Sequence, residues 1–266
     1  MADKKWSELP AAAALTGLEI TSVVQGGVNV KLPVADLAES INDMINWTPA
    51  KLPGLYARYI PRAGCFEDAA GADRCEPADG IQFYKSATGA PNLSQAAAGA
   101  RPLWRADPAR AEFDGARHYG TIDLPASPTF FSYHVTRFTA VQYHTWYDGD
   151  NALYPSLWAT NTGIVIMNHD RGGGAAIGSP TAKNDGLWHT FFCRNEAASF
   201  EFWIDNVSIA ARAVSMTCSG VPVGLFNRPA GSFCTLADVG EFGFCTSIPS
   251  AADLTKLHNY LTALVA

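Results

Sequence analysis

The sequence predicts a mainly β protein: an antiparallel β-sandwich preceded by a small hairpin-helix module. Three observations predict it. From Leu52 onward, short runs of alternating apolar and polar residues recur with turn-forming residues between them, the profile of an antiparallel sandwich. Before that point, residues 20–45 hold one hairpin pattern and one helical stripe, too small a unit to stand alone without added support. The two parts meet at a breaker-rich junction, Thr48-Pro49-Ala50-Lys51-Leu52-Pro53-Gly54. The expected domains are therefore residues 1–48 and residues 52–266.

Composition narrows the function classes. Of 266 residues, 48% are hydrophobic and 17% charged, which excludes wholesale disorder. A formal net charge of -6 lacks the cationic footprint of broad nucleic-acid binding. No apolar run reaches the roughly 18 residues of a membrane helix, so no membrane insertion is expected. The opening Asp3-Lys4-Lys5-Trp6 leads into Pro and Ala instead of a long apolar core. That predicts no signal peptide and folding in a cytoplasm.

The elements follow in order. Residues 20–32 read as a hairpin, because Gly26-Gly27 can take the positive φ angles of a two-residue turn. Beyond it Val28, Val30 and Leu32 alternate with Asn29 and Lys31. Pro33 opens a short helix with Val34, Leu37, Ala38, Ile41 and Ile45 on one stripe. This unit either docks on other chains or packs back on the main domain; the first reading is preferred here. In the second part, residues 130–138 form a strand with Phe131, Tyr133 and Val135 on one face and Ser132, His134 and Thr136 on the other. Residues 163–168 and 188–194 are two further strands. Residues 199–212 make a hairpin turning at Asp205-Asn206. Residues 241–248 are the last strand. Ser250 then caps a helix through Val265, with Asp253 in its first turn and Leu254, Leu257, Leu261 and Leu264 inward.

Two resemblances attach to these stretches. The leading SELPAAAALTGLE, VVQGG and PVADL resemble the opening module of bacteriophage tail fibres and related virion proteins. From Pro53 to Ala266 the chain resembles the concanavalin A-like (laminin-G-like) jelly roll. The motifs that carry this are LPGLYARYIP (52–61), IQFYKSATGAPNLSQAAAGARP (81–102), AEFDGARHYGTI (111–122), Trp188-His189, the hairpin Phe200–Asn206 and DVGEFGFCTSIPSAADLTKLHNYL (238–261). Their fixed order speaks to fold more than to function. The resemblance implies a virion appendage: residues 1–48 bound to other virion proteins, a homo-oligomer with a trimer favoured, and a jelly roll facing the host envelope.

Catalytic patterns are missing. Glycan hydrolases of this fold carry carboxylates closely spaced on one strand. The nearest approach here, Glu201 and Asp205, spans about 13 Å along a strand, wider than the ~5–9.5 Å a glycosidase needs. There is no G-x-S-x-G, H-E-x-x-H or phosphate-loop pattern. The histidines 118, 134, 144, 169, 189 and 258 show no metal-ligand spacing. The six cysteines form no CxxC pair. Cys193 and Cys245 are expected as buried hydrophobes. Cys65 and Cys75 flank a loop across which a bridge is sterically easy in an oxidising compartment. Cys218 and Cys234 bracket another loop-like stretch, and both disulfide states stay open.

The binding candidate is residues 144–158, where Trp146, Tyr147, Tyr154 and Trp158 interleave with Asp148, Asp150 and Asn151. Sugars need flat apolar faces for stacking and oriented polar groups for hydroxyls, and this stretch has both. Asn168, Asp170 and Arg171 would join it from an adjoining loop. Alternatively the aromatics fill the core or an interface and 148–151 is a turn. A calcium loop beginning at Asp148 would need Gly at 153 and Glu at 159, where Leu153 and Ala159 stand. No cofactor is expected, although a single calcium ion held by loops stays open.

The expectation is therefore a non-enzymatic structural protein of a bacteriophage virion, a tail-fibre, spike or surface-fibre component that contacts a host surface glycan through its lectin-like sandwich. The alternatives are a decoration or cement protein without ligand, or a glycan depolymerase.

Overall fold

The computed structural model describes residues 20–25, 28–33, 47–89, 91–119, 121–127, 129–138, 144–149, 156–168, 176–196, 198–213, 222–226 and 236–266. Contacts divide the chain into two compact units, Met1–Trp47 and Thr48–Ala266. In the first, β1 (Ile20–Gln25) and β2 (Val28–Pro33) pair antiparallel with Gln25 opposite Val28. The expected turn at Gly26-Gly27 lies outside the described residues, between the paired ends Gln25 and Val28. The expected helix over residues 34–45 lies outside the described residues.

The second unit begins with β3 (Leu55–Tyr59), β4 (Cys65–Phe66), β5 (Phe83–Tyr84), β6 (Leu93–Ser94), β7 (Leu103–Ala106) and β8 (Ala109–Asp114). Then come β9 (Thr121–Asp123), β10 (Phe130–Phe138), β11 (His144–Gly149), β12 (Ser156–Ala159), β13 (Val165–Asn168) and β14 (Ile177–Gly178). The chain continues through β15 (Trp188–Glu196), β16 (Ser199–Ile204), β17 (Val207–Arg212), β18 (Pro222–Leu225) and β19 (Leu236–Cys245) to helix α1 (Ala251–Val265).

One sheet runs β17-β16-β15-β10-β19-β8-β7, with β3 also paired to β19, and a second runs β14-β13-β12-β11-β18-β9. The pairs within both are antiparallel. The chain leaves the first sheet for the second at β9, β11 and β18 and returns at β10, β15 and β19, the winding of a jelly-roll sandwich. A small sheet, β4-β5-β6, lies apart from these two.

The inner faces share one core. Phe113, Phe191, Phe202, Phe242 and Phe244 from the first sheet meet Ile122, Leu157, Val165 and Leu225 from the second. Phe226, just past β18, packs on both Phe113 (4.5 Å between ring centres) and Phe242 (5.2 Å). The void between the sheets beside Ser132 and His134 holds only about 10 Å³, room for roughly one water.

Strand β10 departs from the half-exposed pattern its alternation implies. Both of its faces are buried. Ser132, His134 and Thr136 share the inner face, while Phe131, Tyr133 and Val135 lie on the other, the side on which α1 packs against the sheet. Leu254, Leu257 and Leu261 of α1 are buried as expected, and Leu264 is only half-buried. Ser250 caps the helix in a full capping box with Asp253. The last strand starts earlier than its sequence signal, at Leu236 in place of residue 241. The hairpin turn has the residues expected: Asp205 and Asn206 sit at φ +52° and +62°, the mirror-image turn that matches strand twist. Cys65, Cys75, Cys193 and Cys245 are all buried.

Candidate functional site

Strands β11, β12 and β13 are consecutive neighbours in the second sheet. Thr145 pairs with Trp158 and Tyr147 with Leu157, with a bulge between them, and Ser156 pairs with Asn168. The backbones of Trp146, Tyr147 and Asp148 thus lie in β11 and that of Asn168 ends β13. Because the strands alternate in direction, Gly149, Ser156, Asn168 and Ile177 bring four strand ends to one end of the sheet. Those ends bracket segments 150–155 and 169–176. Asp150, Asn151, Asp170 and Arg171 lie outside the described residues. Asp148 and Gly149 are in strand, paired to Gly224 and Val223 of β18, so the turn reading of residues 148–151 does not hold for its first two members.

Trp158 falls between Leu157 and Ala159, which are fully buried, and is itself half-buried. Alternation therefore sets its indole on the outer face of the second sheet, where its register partner Ile166 is also half-buried. Tyr147 pairs in register with Leu157 and Leu225, two core residues.

The carboxylates in view have structural partners. Glu201 accepts from Arg194 Nη1 (3.0 Å) and from the Ser208 hydroxyl (2.6 Å). Asp238 pairs with Arg110 (3.2 Å) and Arg137. Glu241, wholly buried, takes Arg58 Nε at 2.7 Å and Nη2 at 3.1 Å, with Tyr260 Oη donating at 2.9 Å. The imidazole of His134 stacks on Phe191 (4.9 Å), and burial drives its pKa down to about 3, so the ring is neutral.

One cluster escaped the sequence reading. His189 Nδ1 lies 2.7 Å from Asp205 Oδ2, and its Nε2 lies 3.0 Å from Asp185 Oδ1. The Thr190 backbone N–H donates to Asp205 Oδ1 (3.0 Å), and Lys183 Nζ stands 3.5 Å from Oδ2. Burial alone would lower the His189 pKa, but the hydrogen bond and charge of Asp205, reinforced by Asp185, hold it above the ordinary value. Burial would likewise raise Asp205, yet His189 outweighs it and keeps that carboxyl low. The sequence signal was the Trp188-His189 strand start facing the Asp205 turn, legible only once β15 and β16 are in register. A buried imidazolium gripped by two carboxylates clamps a hairpin. It offers no free base.

Among the described residues no group of three His, Cys, Asp or Glu side chains is placed to hold a metal ion. Among these residues no helix is long and apolar enough to cross a membrane. A surface hollow of about 190 Å³ between Ile60, Gly64 and Lys85 has Lys85 as its one charged lining residue.

No protein-family model matches the sequence, and no curated protein matches it. Solved structures are similar in part. They include the Ruminococcus gnavus IT-sialidase CBM40 bound to α2,3-sialyllactose (TM-score 0.40, 13% identity, 53% of this chain and 97% of that one). A heptameric SAP-like pentraxin from Limulus polyphemus overlaps at TM-score 0.43 and 10% identity, over 54% of this chain and 78% of that one. The binding domain of botulinum neurotoxin DC in complex with rat synaptotagmin II overlaps at 0.39 and 10%, over 50% and 36%. At overlaps this partial, no ligand or residue role passes from them to this chain.

Proposed function

We propose that the chain is a non-catalytic binding component of an assembled particle. Its sandwich engages a surface glycan at the end of the second sheet where Gly149, Ser156, Asn168 and Ile177 end their strands. Its first 48 residues attach it to other proteins of the particle, the division of labour of a bacteriophage tail fibre, spike or surface fibre. The observation that carries the glycan reading is the joining of β11, β12 and β13. It brings the strand ends Gly149, Ser156 and Asn168, which adjoin Asp150, Asn151, Asp170 and Arg171 in sequence, to one end of a sheet whose outer face bears the half-buried indole of Trp158. Flat apolar surface next to hydroxyl-binding groups is what sugar rings require. The attachment reading rests on the leading motifs and on the separate small unit they occupy. The carboxylates described above are tied into ion pairs and turns, which supports binding over hydrolysis.

The test is a glycan array probed with the full chain, followed by incubation with the bound polysaccharides. Binding without release of shorter products is expected, with affinity reduced about tenfold in Trp158→Ala, the loss of a stacking contact of roughly 1–1.5 kcal/mol. Cleavage would overturn the non-catalytic reading. Failure to bind any glycan would favour the ligand-free decoration protein.

A further inference from the structure

Residues 65–75 form a narrow antiparallel excursion of their own. Phe66 bridges Arg74 in antiparallel register, and the same register sets Cys65 directly opposite Cys75. Two backbone hydrogen bonds flank that bridge: Glu67 N–H to Asp73 C=O (2.9 Å) and Cys75 N–H to Cys65 C=O (3.2 Å). Cys65 and Cys75 therefore stand opposite each other just past the bridge, joined by the second of these hydrogen bonds, in an antiparallel pairing where opposed Cα atoms lie about 4.5–5.5 Å apart. Disulfides span Cα separations of about 4.4–6.8 Å. Both thiols are buried, at 5% and 8% exposure, in one cluster with Tyr84 and Tyr119.

We infer that Cys65 and Cys75 are a disulfide site that closes residues 66–74 into a covalent loop when the protein folds in oxidising surroundings. With a small-molecule disulfide such as oxidised glutathione as oxidant, one cysteine thiolate attacks it and expels a glutathione thiol, leaving a mixed disulfide. The second cysteine then attacks the first protein sulfur and expels the other thiol. Two protein thiols lose two electrons and two protons, and one disulfide of the oxidant becomes two thiols. Burial shapes the kinetics. It raises the Cys75 thiol to about 12, pushed further by Asp79, and raises Cys65 as well, where charge on Cys75 adds to the effect. Few thiolates exist in the folded, reduced protein at neutral pH, so bridging is fast during folding and slow afterwards. Once made, the bond is screened from reductants by the same burial.

The test is refolding of the full chain with oxidised glutathione, alkylation of remaining thiols in denaturant, and tryptic peptide mapping. Cleavage after Arg62, Arg74 and Lys85 separates Cys65 (fragment 63–74) from Cys75 (fragment 75–85), so the two stay together only through sulfur. The expected product is that pair, lighter by two hydrogens than the separate fragments. The bridged form should melt on the order of 5 °C above the reduced form, a response absent in C65S/C75S. Alkylation of both residues after refolding, or a bond from either to another cysteine, would overturn the inference. The wild-type map decides even if the double variant does not fold. In C218S/C234S, which removes the competing loop cysteines, the bridge should persist.

Discussion

His189 shows how much a single side chain can be asked to hold. It ties the start of β15 to the Asp205 turn on one ring nitrogen and to Asp185 on the other. Two acceptors on one imidazole require both nitrogens to carry protons, which is why its pKa is raised. The folded protein binds this proton more tightly than the unfolded chain. The contribution is therefore full below the ordinary histidine range near 6.5 and is lost as pH climbs through the raised folded value. Asp185 and Asp205 have lowered values, so their contribution is present above the ordinary carboxylate range and is lost as pH falls. Urea unfolding across this range should show wild type most superior to His189→Gln on the acidic side of neutrality, above the carboxylate transition, with the gap closing toward alkaline pH. Gly243 is a second residue-scale constraint. A Cβ there would stand 2.6 Å from Tyr133 Oη and 2.7 Å from the Ala57 carbonyl. Gly243→Ala should cost about 1–3 kcal/mol in chemical denaturation, the usual penalty of overpacking.

At the scale of elements, α1 is the piece that converts a sheet face into a second core. Three leucines supply its apolar contact, and one buried polar network fixes its position: Arg58 Nη2 donates to Tyr260 Oη (2.9 Å) while both side chains engage Glu241. Arg58→Met would leave Glu241 buried without its cation. The expected loss is about 3–5 kcal/mol, largely recovered in R58M/E241L, where no charge remains to be desolvated. Urea midpoints of the single and double variants check this. Ser250→Ala removes a capping box and should cost about 1 kcal/mol. That smaller loss should fall on the helix, as faster amide exchange in its first turn.

For the whole molecule, the question is what each unit does without the other. The sandwich has its own core and a second one under α1, so deletion of residues 1–46 should leave a soluble, cooperatively folding protein. On the attachment reading that fragment keeps glycan binding and no longer incorporates into particles. Normal incorporation of the shortened protein, measured in assembled virions, would count against the role given to the first unit.

Local signals in the sequence determined much of this architecture. A two-glycine connection made β1-β2 legible, Asp205-Asn206 made β16-β17 legible, and Ser250 with the leucine spacing marked α1, because turns and caps are decided by residues a few positions apart. The motif order from Pro53 onward likewise pointed to the jelly roll. Only the tertiary structure decided which faces are covered and which distant residues meet. Alternation in β10 separates two faces but does not say that α1 packs against the second. Trp188-His189 and Asp205 are unremarkable apart until β15 and β16 align. Of the glycan candidate, the residue types were visible in sequence, whereas the side-by-side strands 144–149, 156–159 and 165–168 came from hydrogen-bond register, which depends on the whole sheet. Short-range chemistry sets turns, caps and strand identity; burial and register belong to contacts between residues distant in the chain.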